Sequence, residues 1–418
     1  MRILVCVHNL DYRGTQRCAK ECAVVYRRAG HDVKVFACQK GGEIEAELDA
    51  EKIDVLIGEE RLETCLNWAP HLLHMHRHSA ASLYETELFR KFKAVGAKVI
   101  ETSVFGFLDF SEGGRLLDLS LHISLWSLYR WNMWKGARKR YGVYLPYIVA
   151  TEEMIRSDEA AIGRYRASLG IPGTAFVIGR IGKTQWSWIE RYVYPVLKSH
   201  PDVYFLSVAD YDSSEACQAW DADVKTRVVL IPRLRRHELS LFYSSCTVTL
   251  NLSPIGESFG FVIAEAMACG TPVVSVSTPR LDDAQVEVIR HGTGGFVASS
   301  PKELDPLLRE LIADTSKVVA AQKNCRRLIC ERYSLEVVGP WLNELAEIVR
   351  SGSGPEVARK LEARGYITKV SRSSIIASLR ALYRPTSYAK ILLMLALHNP
   401  VGHLARVGYW KIRWGMWK

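Results

Sequence analysis

The sequence predicts an α/β chain of two doubly wound units, each a parallel sheet covered by helices on both faces. Three observations carry that expectation. Short apolar runs bounded by polar and turn residues recur along most of the 418 residues, as buried parallel strands do. Helical patterns separate them, so strand alternates with helix. The series also restarts after Ile171-Pro172-Gly173, and a chain of this length is expected to hold more than one domain.

The elements follow in order. RILVCV (2–7) is a buried strand, closed by HNLD. RGTQRCAKECAVVYRRAG is a helix with Ala19, Cys22, Ala23 and Tyr26 on one side and Gly30 as its stop. HDVKVFAC (31–38), KIDVLIG (52–58), HLLHMHR (71–77) and AKVIETS (97–103) continue the first series. The second holds AFVIGRIG (175–182), VYFLSVA (203–209), RVVLIPR (227–233), CTVTLNLS (246–253), PVVSVST (272–278) and GGFVAS (294–299). SLEVVGPWLNELAEIVR (334–350) reads as a final helix, and GSGP (352–355) as a flexible break. The expected division is 1–165, 166–333, a closing helix at 334–351 and a tail at 352–418. Two such units in tandem are expected to hold a ligand cleft at their strand C-terminal ends.

Composition narrows the class. Hydrophobic residues make up 48% and charged residues 24% of the chain, the profile of a globular protein. Ile3 to Val7 is too short an apolar run for a secretory signal. The apolar stretch ILLMLAL (391–397) falls far below the ~20 residues of a spanning helix. The ten cysteines are scattered without a C-x-x-C pair, which points to a reducing, cytoplasmic setting. Cys18 and Cys22 share a helix face, but no second pair of metal ligands accompanies them in the sequence. Residues 350–418 hold 13 Lys/Arg against 2 Asp/Glu, while the remainder holds 42 against 43. The body is thus neutral and the tail basic, which favours an anionic surface over nucleic acid as a partner.

The chemistry concentrates in GESFGFVIAEAMACG (256–270). Glu257 and Glu265 are eight apart, so on one helix they lie about 80° from each other. Glu257 is therefore placed in the loop after CTVTLNLS, with a helix starting near Phe259–Gly260 and carrying Glu265. A helix N-terminus beside glycine offers unpaired N–H groups to a phosphate. Carboxylates just outside and inside it are strong acceptors for sugar hydroxyls. Taken singly, each glutamate is an ordinary loop or helix-surface residue.

NLSPIGESFGFVIAEAMACGTPVV resembles the donor-site signature of retaining glycosyltransferases of family four, which have the GT-B fold. RILVCVHNLDYRGTQR, YSSCTVTLNLSPIGES and TPRLDDAQVEVIRHGTGGFV resemble further parts of that family, so the likeness runs over roughly residues 1–345. The resemblance implies that Glu257 contacts the donor sugar, Glu265 holds the ribose, and the amides of Ser258, Phe259 and Gly260 meet the diphosphate. It makes 1–165 the acceptor-side domain and 166–333 the nucleotide-sugar domain. Arg180 stands where the family has a phosphate-binding arginine. Lys183 follows more closely than the family's lysine does, and is otherwise a solvated loop residue. Neither cofactor nor metal is implied.

On the N-terminal side, Gly14 matches the second of two family glycines, which implies donor binding, and Arg13 replaces the first as an acceptor-side candidate. Without the resemblance, Gly14 serves only the tight strand-to-helix turn. Strand alternation puts His74, His76 and His78 on one side. Zinc needs a fourth ligand, and the sequence shows no companion cluster; by resemblance His76 lines the cleft. Where many relatives carry a histidine, this chain reads Thr102-Ser103-Val104, and Ser103 becomes the candidate.

The tail segment 385–418 carries Trp410, Trp414 and Trp417 among basic residues. That pattern suits a helix lying on an anionic membrane surface, or else one packed back on the N-terminal domain. The expected protein is a retaining hexosyltransferase, cytoplasmic and peripheral at the inner face of the membrane. It moves a sugar from a nucleotide-sugar donor to a glycan or lipid-linked acceptor in cell-envelope synthesis. The alternatives are a sugar-nucleotide epimerase of the same fold and an inactive glycan-binding relative.

Overall fold

The computed structural model describes residues 1–77, 80–106, 109–134, 141–182, 186–208, 217–380, 382–383 and 395. It divides into two compact units. The first is Met1–Ile148 with Leu335–Ala377; the second is Val149–Ser334 with the described residues of Ser378–Tyr388. Each is a parallel sheet flanked by helices, the make-up of a GT-B-like fold.

The first sheet has seven strands: β1 (Arg2–Asn9), β2 (Asp32–Lys40), β3 (Asp54–Ile57), β4 (Leu72–Arg77), β5 (Lys98–Ser103), β6 (Leu119–His122) and β7 (Gly142–Tyr144). Their order is β3-β2-β1-β4-β5-β6-β7, and every neighbouring pair is parallel. The second has six: β8 (Phe176–Arg180), β9 (Val203–Val208), β10 (Val228–Ile231), β11 (Val248–Asn251), β12 (Val273–Val276) and β13 (Gly295–Ala298), in the order β10-β9-β8-β11-β12-β13. The strand order reverses between β1 and β4 in one sheet and between β8 and β11 in the other. Loops at the carboxyl ends of the strands on either side of such a reversal spread apart and leave a crevice.

Burial on both faces explains why these strands read as unbroken apolar runs. Ile3 to Val7 are all buried. One face of the first sheet packs Leu4, Cys6, Leu73 and Met75 under Leu88, Phe89 and Phe92 of helix α2 (Leu83–Ala94). Ser82 and Glu85 start that helix with reciprocal side-chain-to-backbone bonds of 3.1 and 2.7 Å. Because side chains alternate along a strand, His74 and His76 face the other way, toward helix α1 (Gly14–Arg28). That helix is buried on most of its circumference. Val25 sits 3.4 Å from the position a Cβ on Gly339 would take, in helix α5 (Leu335–Arg350). α1 stops as its glycine predicts, with Gly30 at φ +82°.

Two elements escaped the sequence pattern. β6 and β7, of four and three residues, are not among the runs read as strands. One expectation is corrected: the flexible break at 352–355 is a tight turn into a helix, Gly354–Ala363, with Pro355 in its first turn. Proline belongs there, because that N–H has no helical partner to lose. The described part of the tail packs on the first unit. Lys98 Nζ donates to Gly352 O at 2.9 Å, Tyr144 N to Ile367 O at 2.9 Å, and Val370 N to Asn132 Oδ1 at 2.8 Å. Apart from Leu395, the segment 385–418 lies outside the described residues. No described helix is long and apolar enough to cross a membrane.

At the end of β4, Arg77 is 2% exposed and bonds Glu101 at 2.7 Å and Asp109 at 2.9 Å. Removing one member of a buried ion group strands the others without compensation. Arg77→Leu is expected to lower the stability of this unit by about 3–5 kcal/mol, read as a shifted urea midpoint. Arg90→Leu, at exposed pairs with Glu87 and Glu112, is expected to leave that midpoint nearly unchanged.

Candidate functional site

In the second unit the loops after β8, β11 and β12 leave the same sheet edge, because the strands are parallel. The loop after β11 runs from Leu252 to Gly260, where helix α3 (Phe261–Ala268) begins. The loop-then-helix division expected for Glu257 and Glu265 is thus what the chain adopts. Two glycines permit the path. Gly256 has φ +72°, and a Cβ there would sit 1.7 Å from Asp282 O; Gly260 has φ +91° and caps the helix. Phe259 is buried on Phe261 and on Tyr333, the last residue of helix α4 (Thr315–Tyr333). That anchor fixes the helix N-terminus, whose first amides have no partner within the helix. Ser258 lies half-buried beside it.

Glu257 is held from three sides. Its Oε1 accepts from Asn251 Nδ2 at 3.0 Å. Its N–H donates to Gln285 Oε1 at 3.0 Å, and its carbonyl accepts from Ala284 N at 3.0 Å. Part of the residue touches solvent, yet the carboxyl is packed in, and burial pushes its pKa up to about 7 with Asp282 adding to the rise. Beneath it, Asp283 accepts from the Thr278 amide at 2.7 Å, Ser277 Oγ at 2.8 Å and Gln285 Nε2 at 3.0 Å. Burial raises its pKa to about 8. Tyr383 Oη donates to Ser277 Oγ at 3.1 Å, so a residue near the chain's end joins the same network. The sequence pointed to the stretch TPRLDDAQVEVIRHGTGGFV, not to the work of Asp283 and Gln285. Nothing in spacing reveals a cradle that closes 28 residues after the group it holds.

Glu265 lies within α3 at 2% exposure. Tyr243 Oη donates to its Oε2 at 3.4 Å, and Arg236 Nη1 is 3.9 Å from its Oε1. Arg236 also pairs with Glu153. Arg180, at the end of β8, is fully buried. Its Nη1 and Nη2 donate to Ser207 Oγ at 3.0 Å and Gly182 O at 2.8 Å, and its guanidinium lies 4.8 Å from the Trp186 ring. It therefore ties down the 181–182 turn from inside. Lys183 lies outside the described residues.

The acceptor-side candidates and the donor-side Gly14 all fall in the first unit. Arg13 is exposed, extended and immediately before α1; Gly14 is that helix's first residue, also exposed. Gly14 has no positive φ, so the turn does not need a glycine for backbone reasons. His76 is 1% exposed. Ser103 is buried at the end of β5, in register with Arg77 on β4 and His122 on β6. His122 is a residue that the sequence pattern did not single out. It comes from the neighbouring strand, fully buried, and burial holds its pKa down at about 3.

Residues 173–314 match the family described as Glycosyl transferases group 1, a span that contains Arg180, Glu257 and Glu265. Over 172 residues the chain is 27% identical to D-inositol 3-phosphate glycosyltransferase 1 of Catenulispora acidiphila, covering 37% of this chain and 40% of that protein. Over 95 residues it is 35% identical to the D-inositol 3-phosphate glycosyltransferase of Thermobispora bispora, covering 22% and 21%. The matches thus span less than half the length of these curated relatives. Among solved structures, a glycosyltransferase from Rickettsia africae has a TM-score of 0.68 at 17% identity, covering 84% of this chain and 99% of that one. Anabaena Alr3699/HepE in complex with UDP has a TM-score of 0.66 at 17% identity, covering 83% and 100%. At these identities the structures share the fold.

Asp283 makes a pH test possible. A carboxyl with a raised folded pKa holds its proton more tightly when folded. Its contribution is complete below about pH 4 and drains away as pH rises toward about 8. Wild type is therefore expected to lose thermal stability between pH 5 and 8. Asp283→Asn removes the titration, so its melting temperature is expected to change less over that range.

Proposed function

We propose that the chain is a retaining hexosyltransferase that binds a nucleotide-sugar donor in the second unit. One observation carries this most. A fixed glutamate, a glycine-capped helix N-terminus and a buried glutamate one turn in follow β11, at the point where the strand order reverses. Such a point is where doubly wound sheets bind nucleotides, and helix N-termini take phosphate. The match of residues 173–314 to a glycosyltransferase family supports the assignment. The fold shared with a protein solved with UDP and with UDP-glucose makes UDP-glucose the first donor to try.

In this proposal the amides of Ser258, Phe259 and Gly260 bind the diphosphate, where charge grows as the sugar leaves. Glu265 accepts the ribose hydroxyls. Glu257, with a pKa near neutrality, accepts a sugar hydroxyl and orients the donor. Arg180 and Lys183 are assigned to the charge of the diphosphate. The acceptor attacks from the face the diphosphate leaves, and the phosphate takes its proton, so configuration is retained. Arg13 and Ser103 are assigned to the acceptor side, and the acceptor to a lipid-linked or envelope glycan. The basic, tryptophan-bearing segment 385–418 would hold the protein at an anionic, cytoplasm-facing membrane surface.

Three experiments test this. Glu265→Gln is expected to weaken UDP-glucose binding by about 10–100-fold, the worth of a charge-assisted hydrogen bond, measured by calorimetry. Glu257→Ala is expected to abolish most turnover with a smaller effect on binding; unchanged turnover contradicts its role. Deleting 385–418 is expected to release the protein from phosphatidylserine vesicles in co-sedimentation. Release by 0.5 M salt alone is expected too, since the attraction is screened.

A further inference from the structure

The cysteines of α1 and the histidines of β4 each lacked a second pair of ligands in the sequence. The fold supplies each with the other. Among the described residues, Cys22, His74 and His76 bring one donor atom apiece within 4.8 Å of one another. Cys18, one helical turn before Cys22 and outside that trio, has its Sγ 4.0 Å from that of Cys22. Two thiolates on one tetrahedral zinc ion stand about 3.8 Å apart, given Zn–S bonds of about 2.3 Å. We infer that Cys18, Cys22, His74 and His76 form a structural site for a zinc-class transition-metal ion, fastening α1 to the first sheet.

Three further observations converge on the site. First, His76 is 1% exposed, and neither ring nitrogen has a hydrogen-bond partner. A buried polar group left in that state is costly, and a metal ion gives it a partner. Its ring centroid is 4.3 Å from that of His74, so the two imidazoles lie against each other. Second, His74 bonds Tyr26 Oη at 3.1 Å through Nδ1 and Thr102 Oγ1 at 2.9 Å through Nε2. When one nitrogen turns to a metal, the hydroxyl on the other remains to orient the ring, as outer partners of ligating histidines do. Third, the charges balance. Each thiol releases a proton to solvent on binding, so two thiolates and two neutral imidazoles cancel a divalent ion. Cancellation matters, because all four side chains are buried, from 0 to 3% exposed, and an uncompensated ion there is expensive. Cys22 and two histidines alone leave one positive charge, which is why Cys18 belongs to the set. Sulfur and imidazole donors select zinc or cobalt over magnesium or calcium. Full burial leaves no place for a reacting water, so the site is closed and structural.

The test uses the full chain, freed of metal and titrated with Co2+. One equivalent is expected to bind and to give the sulfur-to-cobalt and visible bands of a tetrahedral thiolate site. Zinc is expected to displace it and to raise the melting temperature. Cys22→Ser and His76→Gln are expected to weaken binding by more than the 10–100-fold that loss of an outer partner costs. Cys269→Ser, at a buried cysteine in the other unit, is expected to leave it unchanged. Should the ligand variants fail to fold, X-ray absorption on the zinc-loaded wild type decides. A shell of two sulfurs and two nitrogens supports the site. Absence of thiolate bands, an all-oxygen and nitrogen shell, or binding unaffected by both ligand substitutions overturns it.

Discussion

Parallel pairing is the constraint on which the rest of this structure depends. All five strand pairings of the second sheet run in one direction, so each strand delivers its following loop to the same edge. The order reversal between β8 and β11 then separates the loops that carry Arg180 and Glu257. The price of the arrangement is that both sheet faces must be covered, which fixes the apolar runs, the crossover helices and their lengths. Site and fold are in this sense one design. The first sheet repeats it, with its reversal between β1 and β4, the two strands that lead to Arg13 and His76.

What the sheet edge supplies, a polar network holds in place. Asn251, Gln285 and Ala284 fix Glu257 through side chain and backbone alike, while Asp283 gathers Ser277, Thr278 and Gln285 below. Buried carboxyls with raised pKa values are tolerated when their hydrogen bonds are met. The network is thus both rigid and sensitive to protonation. α3 is fixed at its other end as well: Arg326 donates to Ala268 O and, at 2.7 Å, to Met154 O. A cation on the last carbonyls suits the negative end of the helix dipole.

Much of this was legible beforehand, for reasons that differ by element. The long buried strands and α1 announced themselves by period and by Gly30. The split of Glu257 into a loop and Glu265 into a helix followed from angular spacing alone. β6 and β7 did not. The Asp283–Gln285 cradle, His122 and the meeting of Cys22 with His74 were hidden for another reason. They join residues far apart in the chain, and only the pairing of strands and the docking of helices bring them together. Arg180 shows a third limit: residue type suggested a phosphate contact, and nothing in the pattern foretold its full burial or its bonds to Ser207 and Gly182.

The central claim is that a nucleotide-sugar binds at the β11–α3 loop. Hydrogen–deuterium exchange of the full chain with and without UDP-glucose addresses it most directly. The amides of residues 256–262 are expected to gain protection, with the Glu265→Gln variant gaining much less. Unchanged exchange there under a donor concentration that saturates the protein, or protection confined to other loops, contradicts the account.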